Sequence, residues 1–362
     1  MSINLIPHAL CQDHLCAGLR DYVETTPATD MLGYAGYRLC PGTPGHHFAL
    51  WLMDRFCLAA EGVLLTCNGT QQGLVAAMQC LSTRGDTILC EAQTYTGILR
   101  IARHQGLIAH GVGMDGEGVC PDELERGLVD TGARLVVLAP TAQNPTGATM
   151  SSDRRRVIAE LLRKHDAFLI EDAVAAPLAG VSVPSVASHA SENCIYLTGA
   201  SKCVAPGVRF GIMRVPERLA GPMNEILVAS NWMGPAYFAG FADLLVKSGR
   251  MDKILPIYQS DAIARQELAR RYLGGGAADT AIAYHVWHHL PPLAPAQSIV
   301  AEAAAVNVHL AGAAPFSCPN VIPPNALRLC LGAEPDIRTL ETGLDRLARL
   351  LKKPRPLSAP VI

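Results

Sequence analysis

The chain runs to 362 residues with 49% hydrophobic content, enough for a large core shared between two domains. Its 30 basic and 32 acidic residues leave a formal net charge of -2, which gives no electrostatic reason to expect nucleic acid or an acidic membrane surface as partner. The twelve cysteines are scattered singly, with no CxxC pair, and read as small buried hydrophobes in a reducing compartment.

The opening MSINLIPHAL lacks the basic start and apolar core of a signal peptide. No apolar stretch reaches the roughly eighteen residues of a membrane span. A cytoplasmic protein is expected. His46-His47 and His288-His289 have no His or Cys partners at useful spacing, so no metal site is expected.

From residue 62 onward, short apolar runs alternate with helical ones. Strands are expected over 62–66, 87–90, 107–112, 135–138, 168–170 and 195–197. Helices are expected between them, over 70–82, 97–104, 121–128 and 151–165. Pro121 suits a first helical position, and Ser151 or Ser152 suits a cap. Continuous apolar strands alternating with helices predict an α/β fold whose mainly parallel sheet is covered on both faces. Ligands bind such sheets at the carboxyl ends of the strands. Asn68 to Gln71, Thr141 to Gly147, Glu171-Asp172 and Ser201-Lys202 all fall at those ends. A helical stretch is expected over 235–273, broken at Gly274-Gly275-Gly276. The tail reads as a smaller α+β unit, with strands over 281–288, 306–310 and 327–331 and helices over 294–305 and 337–351. The first forty residues are expected to pack on it.

Lys202 stands out chemically. It follows an apolar strand and precedes Ala205-Pro206-Gly207, a poor place for a freely solvated charge. Desolvation there lowers an amine's pKa and makes it a nucleophile. Arg209, seven residues on, offers a planar fork for a phosphate.

Ser201-Lys202 with Ala205-Pro206-Gly207 and Arg209 resembles the lysine motif of fold-type I pyridoxal-phosphate aminotransferases. The match is best with the branch of aminoadipate aminotransferases and the aminotransferase-like domains of MocR regulators. Gly69-Thr70-Gln71-Gln72-Gly73 resembles their phosphate-binding turn, Asn144-Pro145-Thr146-Gly147 the NPTG motif, and Glu171-Asp172 the acidic strand end. Ala326-Leu327-Arg328-Leu329 resembles the segment whose arginine binds the substrate carboxylate. The likeness covers about residues 34 to 352. It implies a large domain over 42–250 with a seven-stranded, mainly parallel sheet, and a small domain built from 1–41 and 251–362.

The resemblance also implies roles. Lys202 holds pyridoxal 5'-phosphate as a Schiff base and shuttles the proton at the substrate Cα. Gly69, Thr70, Gln71, Ser201 and Arg209 cradle the phosphate, and Tyr95 stacks on the ring. Asp172 pairs with the ring nitrogen, Asn144 donates to the phenolate oxygen and neighbours the substrate, and Arg328 takes the α-carboxylate. The enzyme is expected to be a homodimer with shared sites, to which Tyr34 or Tyr37 of the partner contributes. Its reaction moves an amino group between an amino acid and a 2-oxo acid.

Departures from the pattern bear on the reaction. The tyrosine that follows the aspartate by two or three residues is replaced by Val174 and Ala175, and the hydroxyl three residues before the lysine by Gly199. A lyase, decarboxylase or racemase sharing the cofactor therefore stays open as an alternative. A regulator's ligand-sensing domain is less expected, because the thirty or so residues ahead of the likeness are not basic.

Overall fold

The structure is a computed structural model that describes residues 1–56, 61–180, 183–274 and 281–353. Its strands in chain order are β1 (Val63–Cys67), β2 (Thr87–Glu91), β3 (Ile108–Val112), β4 (Met114–Asp115), β5 (Gly118–Val119) and β6 (Leu135–Leu138). Then follow β7 (Phe168–Asp172), β8 (Cys194–Gly199), β9 (Gly211–Val215), β10 (His285–His289), β11 (Ala311–Gly312) and β12 (Ala326–Cys330). Seven of them form one sheet in the order β1-β9-β8-β7-β6-β2-β3. Neighbours are parallel except β9, which runs antiparallel to both β1 and β8.

Alternate residues of the buried strands feed two cores, one on each face of this sheet. Val136 and Leu138 join one, with Leu169, Tyr196 and Ile212. Leu135 and Val137 join the other, with Ile170, Leu197 and Met213. That is the period of two of a strand covered on both sides. β10, β12 and β11 form a small antiparallel sheet in that order, whose Leu327 and Leu329 pack with Leu340, Leu344 and Leu347 of the helix Ile337–Leu351.

The structure adds to the expected elements and moves some of them. β9 was not expected because Arg214 interrupts its apolar run. Arg214 is buried all the same, and its guanidinium donates to the carbonyls of Ser191 and Cys194, each at 3.2 Å. A short return after β8 cannot make a parallel crossover, so β9 comes back antiparallel. The expected helix over 235–273 is two helices, Ala236–Lys247 and Met251–Leu273, parted at Gly249 with its left-handed φ of +67°. No strand forms over 306–310. Asn307 is left-handed (φ +59°) there, so the chain is still turning out of the helix Ala296–Ala305. Gly275 and Gly276 of the expected break, and the end of the expected small domain beyond residue 353, lie outside the described residues.

The first forty residues touch both sheets. The Met1 carbonyl accepts from the Cys330 N–H of β12 (2.8 Å). Further on, the helix Gln12–Thr25 sets Tyr22 edge-on against Tyr237 (ring centroids 5.4 Å apart) of the helix Ala236–Lys247. Arg38 then bridges to Leu65 of β1.

Candidate active site

A cavity of about 450 Å³ opens where the carboxyl ends of β7 and β8 face the small sheet. Its lining includes Thr70, Gln71, Tyr95, Asn144, Asp172, Ser201, Lys202, Arg209 and Arg328. These nine expected residues are spread over more than 250 positions of sequence, and the parallel sheet brings them together.

Lys202 closes a single 3-10 turn, Ala200–Lys202, straight after β8. Gly199 at the strand end has a steric reason for replacing the hydroxyl residue. A Cβ there would stand 2.6 Å from the Phe210 carbonyl oxygen on the returning chain. Burial pushes the Lys202 amine down to about 8, helped by Arg328 and opposed by Asp172. Its Nζ donates to the Asn4 carbonyl at 2.6 Å.

Asp172 and Glu171 part company, as successive residues of a strand must. Asp172 lines the cavity, and burial pushes its carboxyl up to about 6 against the Val174 N–H (3.2 Å) and Lys202. Glu171 points into the core, where it faces Arg155 at 3.7 Å and accepts from the Ala187 N–H at 2.9 Å. The acidic pair thus contributes one group to the site and one to the scaffold.

Arg328 enters from β12, opposite the apolar side chains beside it. Its guanidinium lies over the Phe316 ring, 4.4 Å from the centroid. Nη1 donates to Asn144 Oδ1 at 2.9 Å and Nη2 to the Ser2 carbonyl at 2.6 Å. Its Nε is buried with no partner among the described residues, an uncompensated donor that invites an acceptor.

An anion cradle forms at the other side. Gly69 holds φ +80° and ψ 159° ahead of the helix Thr70–Leu81, a backbone state open essentially to glycine alone. A Cβ on it would fall 2.6 Å from Cζ of Arg209. Among the described residues the Arg209 guanidinium makes only long contacts, to the carbonyls of Asn68 (3.4 Å) and Pro206 (3.5 Å), so its donors remain available. The free N–H groups and dipole of the helix start favour a dianion in the same place. Tyr95 rests its ring on Gly97, where any side chain would collide with it, and donates its hydroxyl to Gln71 Oε1 at 3.1 Å.

The two tyrosines expected from a partner subunit behave differently. Tyr37 is 1% exposed and donates to the Asn231 carbonyl at 2.8 Å, so burial within its own chain removes it from any partner's site. Tyr34 is 68% exposed and lines a separate cavity beside Gly234 and Pro235.

Sequence reasoning missed four contributors. Ser2 to Leu5 line the cavity as a strap without helix or strand, and a short stretch without periodicity carries no signal of that. His285, on β10, is held down to about 4 by burial. As a neutral ring it donates from Nε2 to the Gln143 carbonyl (3.0 Å) and accepts at Nδ1 from the Asn4 amide (3.2 Å). It thereby ties the strap to the Asn144 turn. Phe316 and Arg100 carry no motif of their own. Among the described residues no group of three or more His, Cys, Asp or Glu could hold a metal ion, and no helix is long and apolar enough to cross a membrane.

Comparison with known proteins bears on this arrangement. The kynurenine aminotransferase of Pyrococcus horikoshii superposes with a TM-score of 0.87 at 21% identity, over 96% of this chain and 89% of that one. LysN, the alpha-aminoadipate aminotransferase of Thermus thermophilus, gives 0.85 at 22% identity, over 97% and 91%. In sequence, the uncharacterized HTH-type transcriptional regulator YdeF of Bacillus subtilis is 28% identical over 80% of this chain. The chain spans 63% of that regulator's length. The profile of one family, aminotransferase class I and II, matches residues 46–347. With that match across most of its length and a fold that superposes on these aminotransferases over 96–97% of the chain, the chain belongs to the aminotransferase class I and II family.

Proposed function

We propose that this chain is a pyridoxal-phosphate-dependent aminotransferase that moves an amino group between an α-amino acid and a 2-oxo acid. The observation that carries the reading is the placement of Asp172, buried, and Lys202, half-buried with a desolvated amine, in one cavity with Arg328. The residues fit the cofactor's groups one by one: a cradle at Gly69, Thr70, Gln71, Ser201 and Arg209 for the phosphate, a flat wall at Tyr95 for the ring, and a buried carboxylate at Asp172 for the ring nitrogen. When bound, pyridoxal phosphate supplies an electron-accepting ring conjugated to the substrate's Cα.

The protein's share of the work follows from the geometry. Asp172 holds a proton on the ring nitrogen, because a buried carboxylate is strongly favoured by an adjacent cation. Asn144, whose amide nitrogen has no partner among the described residues, donates to the phenolate oxygen. Arg328 takes the α-carboxylate with the donors now given to Asn144 and Ser2, which fixes the direction of the Cα–H bond. Lys202, with an amine near 8, exists partly as the neutral base at physiological pH and moves the proton from Cα.

The same proposal covers the organisation of the protein. Residues 42–250 form the cofactor-binding domain, and residues 1–41 with 251–362 the small one. The protein acts in the cytoplasm as a homodimer, in which the exposed Tyr34 reaches the partner's site. Borohydride reduction of the cofactor-loaded protein and peptide mapping test the core of the proposal. The label is expected on the peptide containing Lys202, and amino acids are expected to convert the cofactor to pyridoxamine phosphate. A label on another lysine refutes the role of Lys202. Release of carbon dioxide or of ammonia instead of that conversion would assign the alternative chemistries.

A further inference from the structure

His285 sits on β10 with only 2% of its surface exposed. In the ladder it faces Cys330, and Trp287 faces Arg328. Opposite and alternate positions share a face of a sheet, so His285 leaves the small sheet on the same side as Arg328. Its ring stays neutral, because burial opposes the charge and the cations Arg328 and Lys202 stand nearby. It therefore moves no proton, and what it contributes is geometry.

The ring reaches two segments. Nε2 donates to the carbonyl of Gln143, the residue just before Asn144, at 3.0 Å, and Nδ1 accepts from the Asn4 amide at 3.2 Å. Gln143 is held from the large domain as well. Its side chain donates to the Gln93 carbonyl at 2.6 Å and accepts from the N–H (2.9 Å) and the hydroxyl (2.7 Å) of Thr146. From the small sheet, two hydrogen bonds reach this turn among the described residues: His285 to the Gln143 carbonyl, and Arg328 to Asn144 Oδ1 at 2.9 Å. In the reading given above, Arg328 gives the second one up to the substrate's α-carboxylate. The bond from His285 is then the one left on that side.

Packing does not make up for the loss. A cavity of about 40 Å³ lies between Asn144, Val174, Ala175 and His285, on the side where the related tyrosine is replaced. The small side chains of Val174 and Ala175 leave Asn144 room to shift, so hydrogen bonds must hold it in place.

We propose that His285 is a positioning residue, which through the Gln143 carbonyl sets where Asn144 meets the cofactor's phenolate oxygen once the substrate has taken Arg328 away. This rests on the assignment of Asn144 and Arg328 in the preceding subsection. His285 touches none of the reacting atoms. Its second bond, to Asn4, serves the strap and can be tested apart from the first.

The test uses the cofactor-loaded protein with saturating butyrate to occupy Arg328, and reads the midpoint of the cofactor's spectral pH titration. A hydrogen bond to the phenolate oxygen lowers that midpoint, so a displaced Asn144 raises it. The amide oxygen of an asparagine can stand in for Nδ1, and the amide nitrogen of a glutamine for Nε2. His285→Asn thus keeps the strap and gives up the Gln143 carbonyl. Its midpoint should rise by about half a pH unit or more, part of the shift that a hydrogen bond to a charged group commands. His285→Gln and Asn4→Ala give up the strap and keep Gln143, and both should stay within about 0.2 unit of the wild type. An unmoved midpoint in His285→Asn overturns the proposal, as does an equal rise in His285→Gln or Asn4→Ala. If His285→Asn does not fold, His285→Phe, which keeps the bulk of the ring, must show the same rise. Asn144→Ala separates this proposal from the reading beneath it. No rise there refutes the role of Asn144 at the phenolate oxygen, and the proposal with it. A rise there with none in His285→Asn refutes the positioning role alone.

Discussion

Replacing Gly69 with alanine isolates the anion cradle from the rest of the site. Two effects follow from the geometry. The first is backbone strain: φ +80° with ψ 159° is a state that costs an L-residue roughly 1–3 kcal/mol, and relaxing it turns the first N–H groups of the helix Thr70–Leu81 away from the phosphate. The second is displacement. The new methyl would lie 2.6 Å from Cζ of Arg209, about 1 Å inside ordinary van der Waals contact. The guanidinium sits at the end of a flexible side chain and is exposed, so it swings aside at little conformational cost and loses its position. A charge-assisted hydrogen bond is worth roughly 1.5–3 kcal/mol, or roughly 10- to 150-fold in affinity. Exposure to water favours the lower end of that range. The dissociation constant of pyridoxal phosphate for Gly69→Ala should therefore rise about 10-fold or more, measured by absorbance titration of the cofactor-free protein. Substrate preference in the fully loaded variant should be unchanged. An unaltered cofactor affinity, in a variant that folds normally, refutes the assignment of Gly69 and Arg209 to the phosphate.

Three further outcomes follow from other residues. Lys202→Met should stabilise the cofactor-free protein at pH 7. The fall of the amine from 10.5 to about 8 means that the folded state resists its charge, an effect on the order of 3 kcal/mol as an upper bound. The wild type gains stability as pH rises from 8 to 10.5, so urea denaturation should show the gap between variant and wild type closing over that window; a constant gap would contradict the buried amine. Arg328→Ala should cut kcat/KM for amino acids about 100-fold while cofactor affinity stays within a few-fold, because its contacts are to Asn144 and the strap; an equal loss with an amine lacking the carboxylate would make Arg328 structural. Val174→Tyr should restore a phenol donor to the cofactor's phenolate oxygen, and the midpoint of the cofactor's spectral pH titration should fall; a midpoint that does not move shows that the ring cannot reach or that another donor already serves.

What the sequence disclosed follows a physical division. The strands β1, β2, β6, β7 and β8 are short, largely apolar runs, and two-sided burial leaves that mark on any sequence, while β3 at the sheet edge is read from its place in the alternation. β9 is equally buried, yet Arg214 hides it, since only the finished fold supplies the carbonyls that pair with a core arginine. Lys202, Asp172 and Asn144 drew notice at strand ends or a turn and Arg328 as a charge inside an apolar strand, and the structure gathers all four at one cavity. Ser2 to Leu5 were not legible, because they act through backbone carbonyls, which every sequence has. Tyr37 was misread for a related reason. An aromatic near a site's motifs looks alike whether its hydroxyl faces a ligand or, as here, the Asn231 carbonyl. The departure at Gly199 became intelligible only when the returning strand showed what a Cβ there would strike.

The strap has an energetic meaning beyond filling space. Its carbonyls at Ser2 and Asn4 accept from Arg328 and Lys202, the two groups that the proposed function would need freed for substrate and cofactor. In the proposed reading, an Nζ taken up by the cofactor would no longer donate to Asn4, and the segment would keep its hold through fewer hydrogen bonds. A carboxylate arriving at Arg328 then competes with a loosened neighbour. The two binding events are thereby linked through a shared competitor, and linkage is reciprocal: the loaded protein should bind a simple carboxylate such as butyrate more tightly than the empty one, and butyrate should tighten the hold on the cofactor by the same factor.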